Sequence, residues 1–382
     1  MNGAYGRDYH RRPLHIALVF TDVLGRIPSL LLIPTWLSLA AISSWPWMST
    51  ATALAFIVAA VSLAFIAGDW ITLALLPRLG RSFGPVTPPL LGLALVRTGL
   101  SLSLGWLWAG WPGLAVDAAV NLAVTAIVIY AAWVEPFRIE VTKAALHSPK
   151  LDGFTPLRLL HISDLHVERM TPRERHLLRL VGELAPDVIV ITGDYLNLSA
   201  VHDPQAQAEA RALLARLCEV APVPIYAITG SPPVDPPEVV PRIFTGLPIT
   251  WLLDEVTETC VNGHTLRLVG LHCTWDRSVD GPRLRHLLES RDNGPFTLLL
   301  YHSPDLMPEA AELGVDLYLC GHTHGGQIRL PLFGALITSS EFRKRYEMGR
   351  YQEGNTILYV SRGLGMEGMG APRARFLSPP EI

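Results

Sequence analysis

Charged side chains are scarce in this 382-residue chain, at 17% of all residues, and they are scarcest near its N-terminus. The stretch from Ile27 to Gly68 is a run of 42 residues without aspartate, glutamate, lysine or arginine. A helix crosses the hydrocarbon core of a bilayer with about 20 apolar residues, whereas a buried core helix seldom has more than about 14. The missing charge therefore argues against a soluble domain here and predicts two membrane crossings.

Cysteine is also scarce, and an excess of basic charge is missing. The four cysteines form no Cys-x-x-Cys pair, and in a reducing cytosol they suit small buried apolar positions. They are Cys218, Cys260, Cys273 and Cys320. The net charge is −3, so the sequence carries no basic footprint of the kind that nucleic acids bind. We therefore predict no nucleic-acid partner, and the oligomeric state stays open.

Four transmembrane helices are predicted in all, near residues 28–48, 51–76, 89–109 and 113–134. The turn within each pair of helices is rich in tryptophan, which favours the membrane interface, and neither turn contains lysine or arginine. The basic residues lie on the other side of the spans: Arg7, Arg11, Arg12, Arg78, Arg81, Arg138, Lys143 and Lys150. Because cytoplasmic loops collect lysine and arginine, we predict a multi-pass inner-membrane protein whose termini and C-terminal domain are cytoplasmic.

Two consecutive predicted spans contain charges of opposite sign. Asp69 lies 7 residues and Arg97 lies 8 residues from the cytoplasmic ends of consecutive helices, a depth of roughly 11–12 Å at 1.5 Å per residue. A charge at such depth costs about 2.5–3.5 kcal/mol and usually faces a partner. We predict that Asp69 and Arg97 pair. The alternative is that Arg97 extends alone to the lipid headgroups.

The later part of the chain has the composition of a soluble domain, so we predict a membrane domain at 1–135 and a second domain at 136–382. Segment 137–146 alternates apolar and polar residues, which predicts a strand. Beyond it, short apolar runs that end in polar clusters alternate with helix-like stretches at 172–185, 204–219 and 281–291. This alternation is typical of an α/β sheet whose two faces are both covered.

Potential metal ligands follow successive predicted strands. They are Asp164 and His166, Gly193-Asp194, His302, and the run Gly321-His322-Thr323-His324. One such histidine alone would more often be a satisfied surface residue, but six ligand-type residues at strand ends are hard to assign to chance. In an extended segment residues i and i+2 point the same way, so each Asp-x-His or His-x-His pair can face one pocket. The mixture of nitrogen and oxygen ligands favours manganese, iron or zinc over calcium or magnesium.

The series Asp-x-His, Gly-Asp, His, Gly-His-x-His resembles the calcineurin-like metallophosphoesterase superfamily. The segments GHTHGGQIRLPLFG (321–334), SRGLG (361–365) and RFLSPPEI (375–382) are similar to its bacterial membrane-associated branch, and the likeness covers about 136–382. It implies an α/β sandwich with two central mixed sheets flanked by helices. It also implies that Asp164, His166 and His324 bind one divalent ion, that His302 and His322 bind a second, and that Asp194 bridges them.

One motif departs from the family pattern. Where the family has Gly-Asn-His-Asp/Glu, this sequence reads Gly230-Ser231-Pro232-Pro233-Val234-Asp235. The resemblance places Ser231 where the asparagine ligand of the second metal would be, and Pro232 where the family has a histidine that assists the leaving group. We therefore assign Asp194, His322 and Ser231 to the catalytic positions, with Ser231 a weak metal ligand. Asp235 is expected to substitute in part if its loop folds inward.

The resemblance implies hydrolysis of a phosphodiester or phosphoanhydride by attack of a metal-bridging hydroxide. An alkoxide leaves poorly without a general acid, whose help is often worth about 10²–10⁴-fold, whereas a phosphate leaves readily as an anion. The missing histidine thus favours an activated bond, and the short junction to the membrane favours a lipid-linked or membrane-surface substrate in contact with membrane lipids. The alternative is a metal-binding pseudo-enzyme that acts as a membrane sensor or scaffold. A transporter is disfavoured because the spans are few and show no paired broken helices.

Overall fold

The chain divides into two compact units. A computed structural model describes residues 21, 23–151, 155–289, 294–368 and 372–382. Among these, one unit contains the apolar helices up to Val134 together with Gly368 and residues 372–374. The other contains the described residues from Glu135 to Glu367 and from Arg375 to Ile382. We describe each unit separately.

Among the described residues, four helical stretches are long and apolar enough to cross a membrane, which associates the chain with a bilayer. They are Ser29–Ser49, Thr52–Arg78, Thr87–Trp108 and Trp111–Phe137. Their regular α-helical parts are α1 (Ile33–Ser44), α2 (Thr52–Arg78), α3 (Thr87–Trp108) and α4 (Trp111–Ile129). The four predicted spans are confirmed, each end lying within three residues of the predicted one.

Asp69 and Arg97, which lie inside these helices, form an ion pair, as predicted. Arg97 Nε donates to one carboxylate oxygen of Asp69 and Arg97 Nη2 donates to the other, both at 2.7 Å. Helix α4 supplies further acceptors, because Asn121 and Thr125 accept from the same guanidinium at 2.8–3.0 Å. Asp69 and Arg97 are 2% and 1% exposed. The arginine therefore does not extend to the headgroups, and the pair ties helices α2, α3 and α4 together.

The second unit is built on two main sheets. Its strands are β1 (Leu159–Ile162), β2 (Val188–Ile191), β3 (Ile225–Ala227), β4 (Thr250–Trp251), β5 (Glu255–Val261), β6 (His264–Gly270), β7 (Phe296–Leu300), β8 (Leu317–Cys320), β9 (Arg329–Leu330), β10 (Gly334–Ala335), β11 (Gly349–Glu353) and β12 (Thr356–Val360). One sheet has the order β1-β2-β3-β4 and its pairs are parallel. The other has the order β11-β12-β8-β7-β6-β5, with parallel pairs in its centre and antiparallel pairs at both edges. Strands β9 and β10 form a separate short hairpin.

The central strands are apolar because both of their faces are covered. Every residue of β2 and of β7 is buried. Each large apolar side chain removed from water contributes about 1.5–3 kcal/mol, so these strands hold the sheets in the interior. The part of this unit that the structure describes has the α-helices α5 (Pro172–Leu184), α6 (Pro204–Val220), α7 (Val240–Phe244), α8 (Arg277–Leu288) and α9 (Met307–Glu312). The three predicted helical stretches are confirmed as α5, α6 and α8.

Segment 137–146 is not a strand, which corrects the expectation from its alternating pattern. It forms one parallel bridge, between Glu140 and Glu381. The amide of Glu140 donates to Pro380 O at 2.8 Å, and the amides of Ile382 and Thr142 extend the pairing to the last residue. The segment is extended, but it pairs with residues 380–382 through a single bridge and is therefore not part of a regular ladder.

Candidate metal centre

The predicted ligands converge although they come from both main sheets. Asp164 and His166 follow β1, Asp194 follows β2, and Ser231 follows β3, all in the parallel sheet. The remaining ligands follow strands of the mixed sheet: His302 follows β7, and His322 and His324 follow β8. Parallel strands bring their carboxyl ends to one edge, which is where open α/β sheets place their ligands. The six described aspartate and histidine ligands and Ser231 therefore share one site.

The backbone at these ligands is strained. Positive φ angles occur at Asp164 (51°), His166 (43°), Asp194 (57°), His322 (69°) and His324 (51°). Such angles are uncommon in residues other than glycine, and they cluster at functional sites when the surrounding structure holds them in place. The pairs Asp164/His166 and His322/His324 therefore do not face one pocket by strand alternation, as expected from the sequence. Left-handed turns after the strands aim them there.

Asp164, His166 and His324 form the first group of ligands. Their ligand atoms lie within 4.8 Å of one another. The two histidine Nε2 atoms are 3.1 Å apart, and His324 Nε2 is 3.6 Å from Asp164 Oδ1. The three side chains are buried, and the two imidazole rings stack with centroids 4.9 Å apart. The three residues predicted to hold one ion are therefore within reach of a single cation.

Asp194 and His302 form the second group together with Asp164, and Ser231 and His322 lie beside it. Asp194 Oδ2 lies 3.3 Å from His302 Nε2 and 3.6 Å from His166 Nε2 of the first group. Ser231 Oγ is 3.2 Å from Asp194 Oδ2, 3.1 Å from His302 Nε2 and 3.5 Å from His322 Nδ1. The hydroxyl thus points into the site from the position predicted for it. One oxygen of Asp194 stands between the two groups, where a bridging ligand must be.

Two of the histidines are held with Nε2 directed into the site. His302 Nδ1 lies 2.7 Å from Thr192 O, and His166 Nδ1 lies 3.2 Å from Leu196 O. A carbonyl only accepts hydrogen bonds, so Nδ1 carries the proton in both rings. When such a ring is neutral, Nε2 keeps its lone pair for a metal, which is the usual arrangement of histidine ligands.

The charge balance of the site also suits cations. Burial alone would lower the pKa of His302, but the charges of Asp194 and Asp164 raise it to about 10. Burial opposes ionisation of Asp194, yet the neighbouring His302 and His166 hold the pKa of this carboxyl below its usual range. Four imidazoles and two carboxylates, with ring nitrogens 3.1 Å apart, are a donor set that a bound metal satisfies and that apolar packing does not. The residues present therefore fit a dinuclear centre.

Asp235 does not enter this site, which corrects the expectation that it replaces part of the missing motif. One of its carboxylate oxygens accepts from the amides of Asp194 and Gly230 at 2.7 Å, and the other accepts from the amide of Tyr195 at 3.0 Å. Burial and the charge of Asp194 raise the pKa of Asp235 to about 7, against the lowering effect of these hydrogen bonds. Asp235 is a positioning residue: it fixes the turn that carries Asp194.

Glu367 is a potential ligand that the sequence did not single out. One of its carboxylate oxygens lies 3.8 Å from His166 Nε2, and it forms a third ligand group with His166 and Asp194. The nearby SRGLG segment explains its position. A Cβ at Gly365 would collide with His166 Cβ and the backbone before it, so only glycine lets this segment pass close to the Asp164–His166 turn. Two residues later, Glu367 reaches the site.

Comparison with known proteins agrees with the geometry. The model of the calcineurin-like phosphoesterase family matches residues 157–326. The metallophosphoesterase YkuE of Bacillus subtilis, which is uncharacterised, is 31% identical over 260 residues, covering 66% of this chain and 87% of that protein. The chain belongs to the calcineurin-like phosphoesterases. Phosphodiesterase YaeI of Escherichia coli is 31% identical over 259 residues, covering 65% of this chain and 89% of that protein.

A third relative extends further along the sequence. The UDP-2,3-diacylglucosamine pyrophosphatase LpxG of Chlamydia trachomatis is 26% identical over 336 residues, covering 70% of this chain and 95% of that protein. As a calcineurin-like phosphoesterase, the chain is a hydrolase that acts on phosphoric ester bonds through a dinuclear metal site. The predictions of the superfamily, of the α/β fold and of the enzyme class are confirmed.

Proposed function

We propose that this phosphoesterase cleaves a phosphoanhydride, or a similarly activated phosphoryl bond, in a lipid-linked substrate at the membrane surface. The observation that supports it is the combination of two ligand groups around Asp194 with Ser231 and Pro232 at the position of the family's Asn-His pair. The two ligand groups can hold the ions that activate a nucleophile, but a proline stands where the family has the histidine that assists the leaving group.

The residue roles follow from the contacts. Asp164, His166 and His324 would hold one divalent ion, and Asp194 would reach both ions through the oxygen that faces His166 and His302. The second ion would be held by His302, His322 and, weakly, the Ser231 hydroxyl. When bound, two such ions acidify a water and neutralise charge on the phosphoryl oxygens. The ligand set suits manganese, iron or zinc.

The leaving group decides which bond is cleaved. A proline side chain has no proton to give, and the nearest acid in the same loop, Asp235, has both oxygens occupied by backbone amides. General-acid help is typically worth about 10²–10⁴-fold for a poor leaving group. A phosphate or nucleotide leaves as a stable anion and loses little without that help. The site is therefore suited to an anhydride more than to an alkyl diester.

A lipid-linked substrate is supported by two further observations. LpxG is named as a pyrophosphatase of UDP-2,3-diacylglucosamine, which is a nucleotide-linked lipid, and its similarity covers 70% of this chain. Four apolar helices in the same chain place it at a membrane. The excess of lysine and arginine on one side of the spans supports a cytoplasmic location for the phosphoesterase unit as part of the proposal. A reporter that is active only in the cytoplasm is expected to be active when it is fused after Ile139. A reporter that is active only outside the cytoplasm is expected to be inactive at the same position.

The proposal predicts a strong preference between matched substrates. Purified full-length protein, reconstituted with manganese in mixed micelles, is expected to hydrolyse UDP-2,3-diacylglucosamine at least ~10²-fold faster in kcat/KM than a dialkyl phosphodiester of similar chain length. Asp194→Asn serves as the blank for contaminating activity. Similar rates on both substrates would contradict the activated-bond proposal. Full metal loading with no turnover of either substrate would favour the metal-binding pseudo-enzyme.

A further inference from the structure

The hairpin that follows the last metal-binding histidine exposes an unusual amount of apolar surface. Strands β9 and β10 pair in only two residues each, and the loop between them contains Leu332 and Phe333. Leu332 is fully exposed and Phe333 is 59% exposed. Leu330, Leu336 and Ile337 are also exposed, at 45%, 48% and 59%. Single exposed apolar residues are common, but five within eight positions mark an interaction site.

A lysine side chain lies against this apolar tip. Lys344 Nζ lies 3.4 Å from the centre of the Phe333 ring and donates to Phe333 O at 2.9 Å. Arg343 beside it is exposed. Within the described part of the chain, neither Arg343 nor Lys344 has a carboxylate within ion-pair distance, whereas Arg345 pairs with Glu353. Lys344 thus contacts the apolar tip as an uncompensated cation, and the exposed Arg343 precedes it in the chain.

The base of the hairpin is fixed to the metal-binding loop. Leu336 N donates to Ile328 O at 3.2 Å, and the buried Ala335 packs so closely on Gly326 that a Cβ there would collide with it. After the hairpin, the backbone of Ser339 hydrogen-bonds the ring of His322. The residues before and after the exposed tip therefore both contact the loop that contains the metal-binding histidines.

We propose that this hairpin inserts into the headgroup region of an anionic phospholipid bilayer, with Leu332 and Phe333 among the acyl chains and Arg343 and Lys344 on lipid phosphates. An apolar tip bordered by cations is what interfacial membrane segments present, and each basic residue near an anionic surface adds to the attraction. The chain also has four helices that can cross a membrane, so a protein anchored by them stays close to a bilayer. The proposal does not depend on the substrate, although a hairpin so placed would bring the site to lipid headgroups.

Site-directed spin labelling of the full chain tests the insertion. In a Cys218→Ser/Cys260→Ser background, a nitroxide is attached at Leu332→Cys, and the protein is reconstituted into vesicles with and without phosphatidylglycerol. In anionic vesicles the label at 332 is expected to collide more with oxygen than with a water-soluble nickel chelate. The control label at Val220→Cys, a position that is 41% exposed in the same unit, is expected to show the reverse.

Two results would overturn the proposal. If the label at 332 favours the nickel chelate as strongly as the label at 220, the hairpin lies in water. If it is shielded from both reagents and shows dipolar broadening between copies, a second copy of the chain covers the tip instead. The proposal further expects Arg343→Gln/Lys344→Gln to shift the label at 332 toward water, while hydrolysis of the soluble substrate bis(p-nitrophenyl) phosphate stays unchanged.

Discussion

Asp194→Asn is expected to abolish most metal binding and to lower kcat/KM by more than ~10²-fold. Asp194 Oδ2 faces His166 Nε2 and His302 Nε2 at 3.6 and 3.3 Å, so one carboxylate serves both ligand groups. An amide carries no negative charge and presents only one oxygen, so neither ion would be held well. Elemental analysis of the purified protein, together with turnover of an activated phosphodiester, measures both effects.

Asp235→Asn is the matched control for this substitution. Asp235 touches the same turn through backbone amides but does not face the ligand atoms. Loss of such an outer contact typically costs about 10–100-fold in metal affinity or activity, so its effect should be clearly smaller than that of Asp194→Asn. If Asp194→Asn keeps the metal content of the unsubstituted protein, the assignment of the centre is wrong.

Breaking the ion pair between Asp69 and Arg97 is expected to be the most destabilising change in the helical unit. Either Asp69→Asn or Arg97→Met leaves a buried partner without its counterpart, a loss that typically costs about 3–5 kcal/mol. The double substitution leaves no unpaired charge and should therefore be less destabilising than either single one. Reversible unfolding in mixed detergent micelles measures the free energies of unfolding for this cycle.

Arg78→Met is the control for removing an arginine from α2 without breaking a pair. Arg78 is exposed at the end of that helix, and a surface change of this kind is usually within about 0.5 kcal/mol of neutral. Additive effects of Asp69→Asn and Arg97→Met would show that the two side chains do not interact and would contradict the structure. Arg97 also donates to Asn121 and Thr125, so its single substitution should be the more damaging of the two.

The sequence predicted the features that depend on local composition or on fixed order. Apolar length alone locates the four spans, because a bilayer needs about 20 apolar residues per helix whatever the helix packs against. The depth of Asp69 and Arg97 along consecutive helices was enough to predict their pairing. The ligands could be listed because they follow apolar strands, and a parallel sheet brings such strand ends together.

The sequence could not supply features that depend on distant partners. Segment 137–146 alternates like a strand, but its backbone pairs with residues 380–382 through a single bridge. From the sequence, Asp235 was expected to replace part of the missing motif, because the backbone amides that donate to its carboxylate could not be known. Glu367 lies 43 residues after His324, and only the close passage of Gly365 past His166 brings it to the site. By contrast, the hairpin of β5 and β6 can be predicted from the sequence, because its Asn262-Gly263 turn is a strong hairpin indicator.

The central claim is that this phosphoesterase has a metal site without a proton donor for the leaving group. Its most direct test is the dependence of log kcat/KM on the leaving-group pKa, measured over a series of aryl and alkyl phosphodiesters. The unsubstituted protein is expected to show a steep fall as the leaving group becomes more basic. Ser231→Asn/Pro232→His, checked for folding by its thermal transition, should flatten the slope by speeding the poorest leaving groups most, by up to about 10²–10⁴-fold. An equal change for good and poor leaving groups would show that Pro232 does not mark a missing general acid.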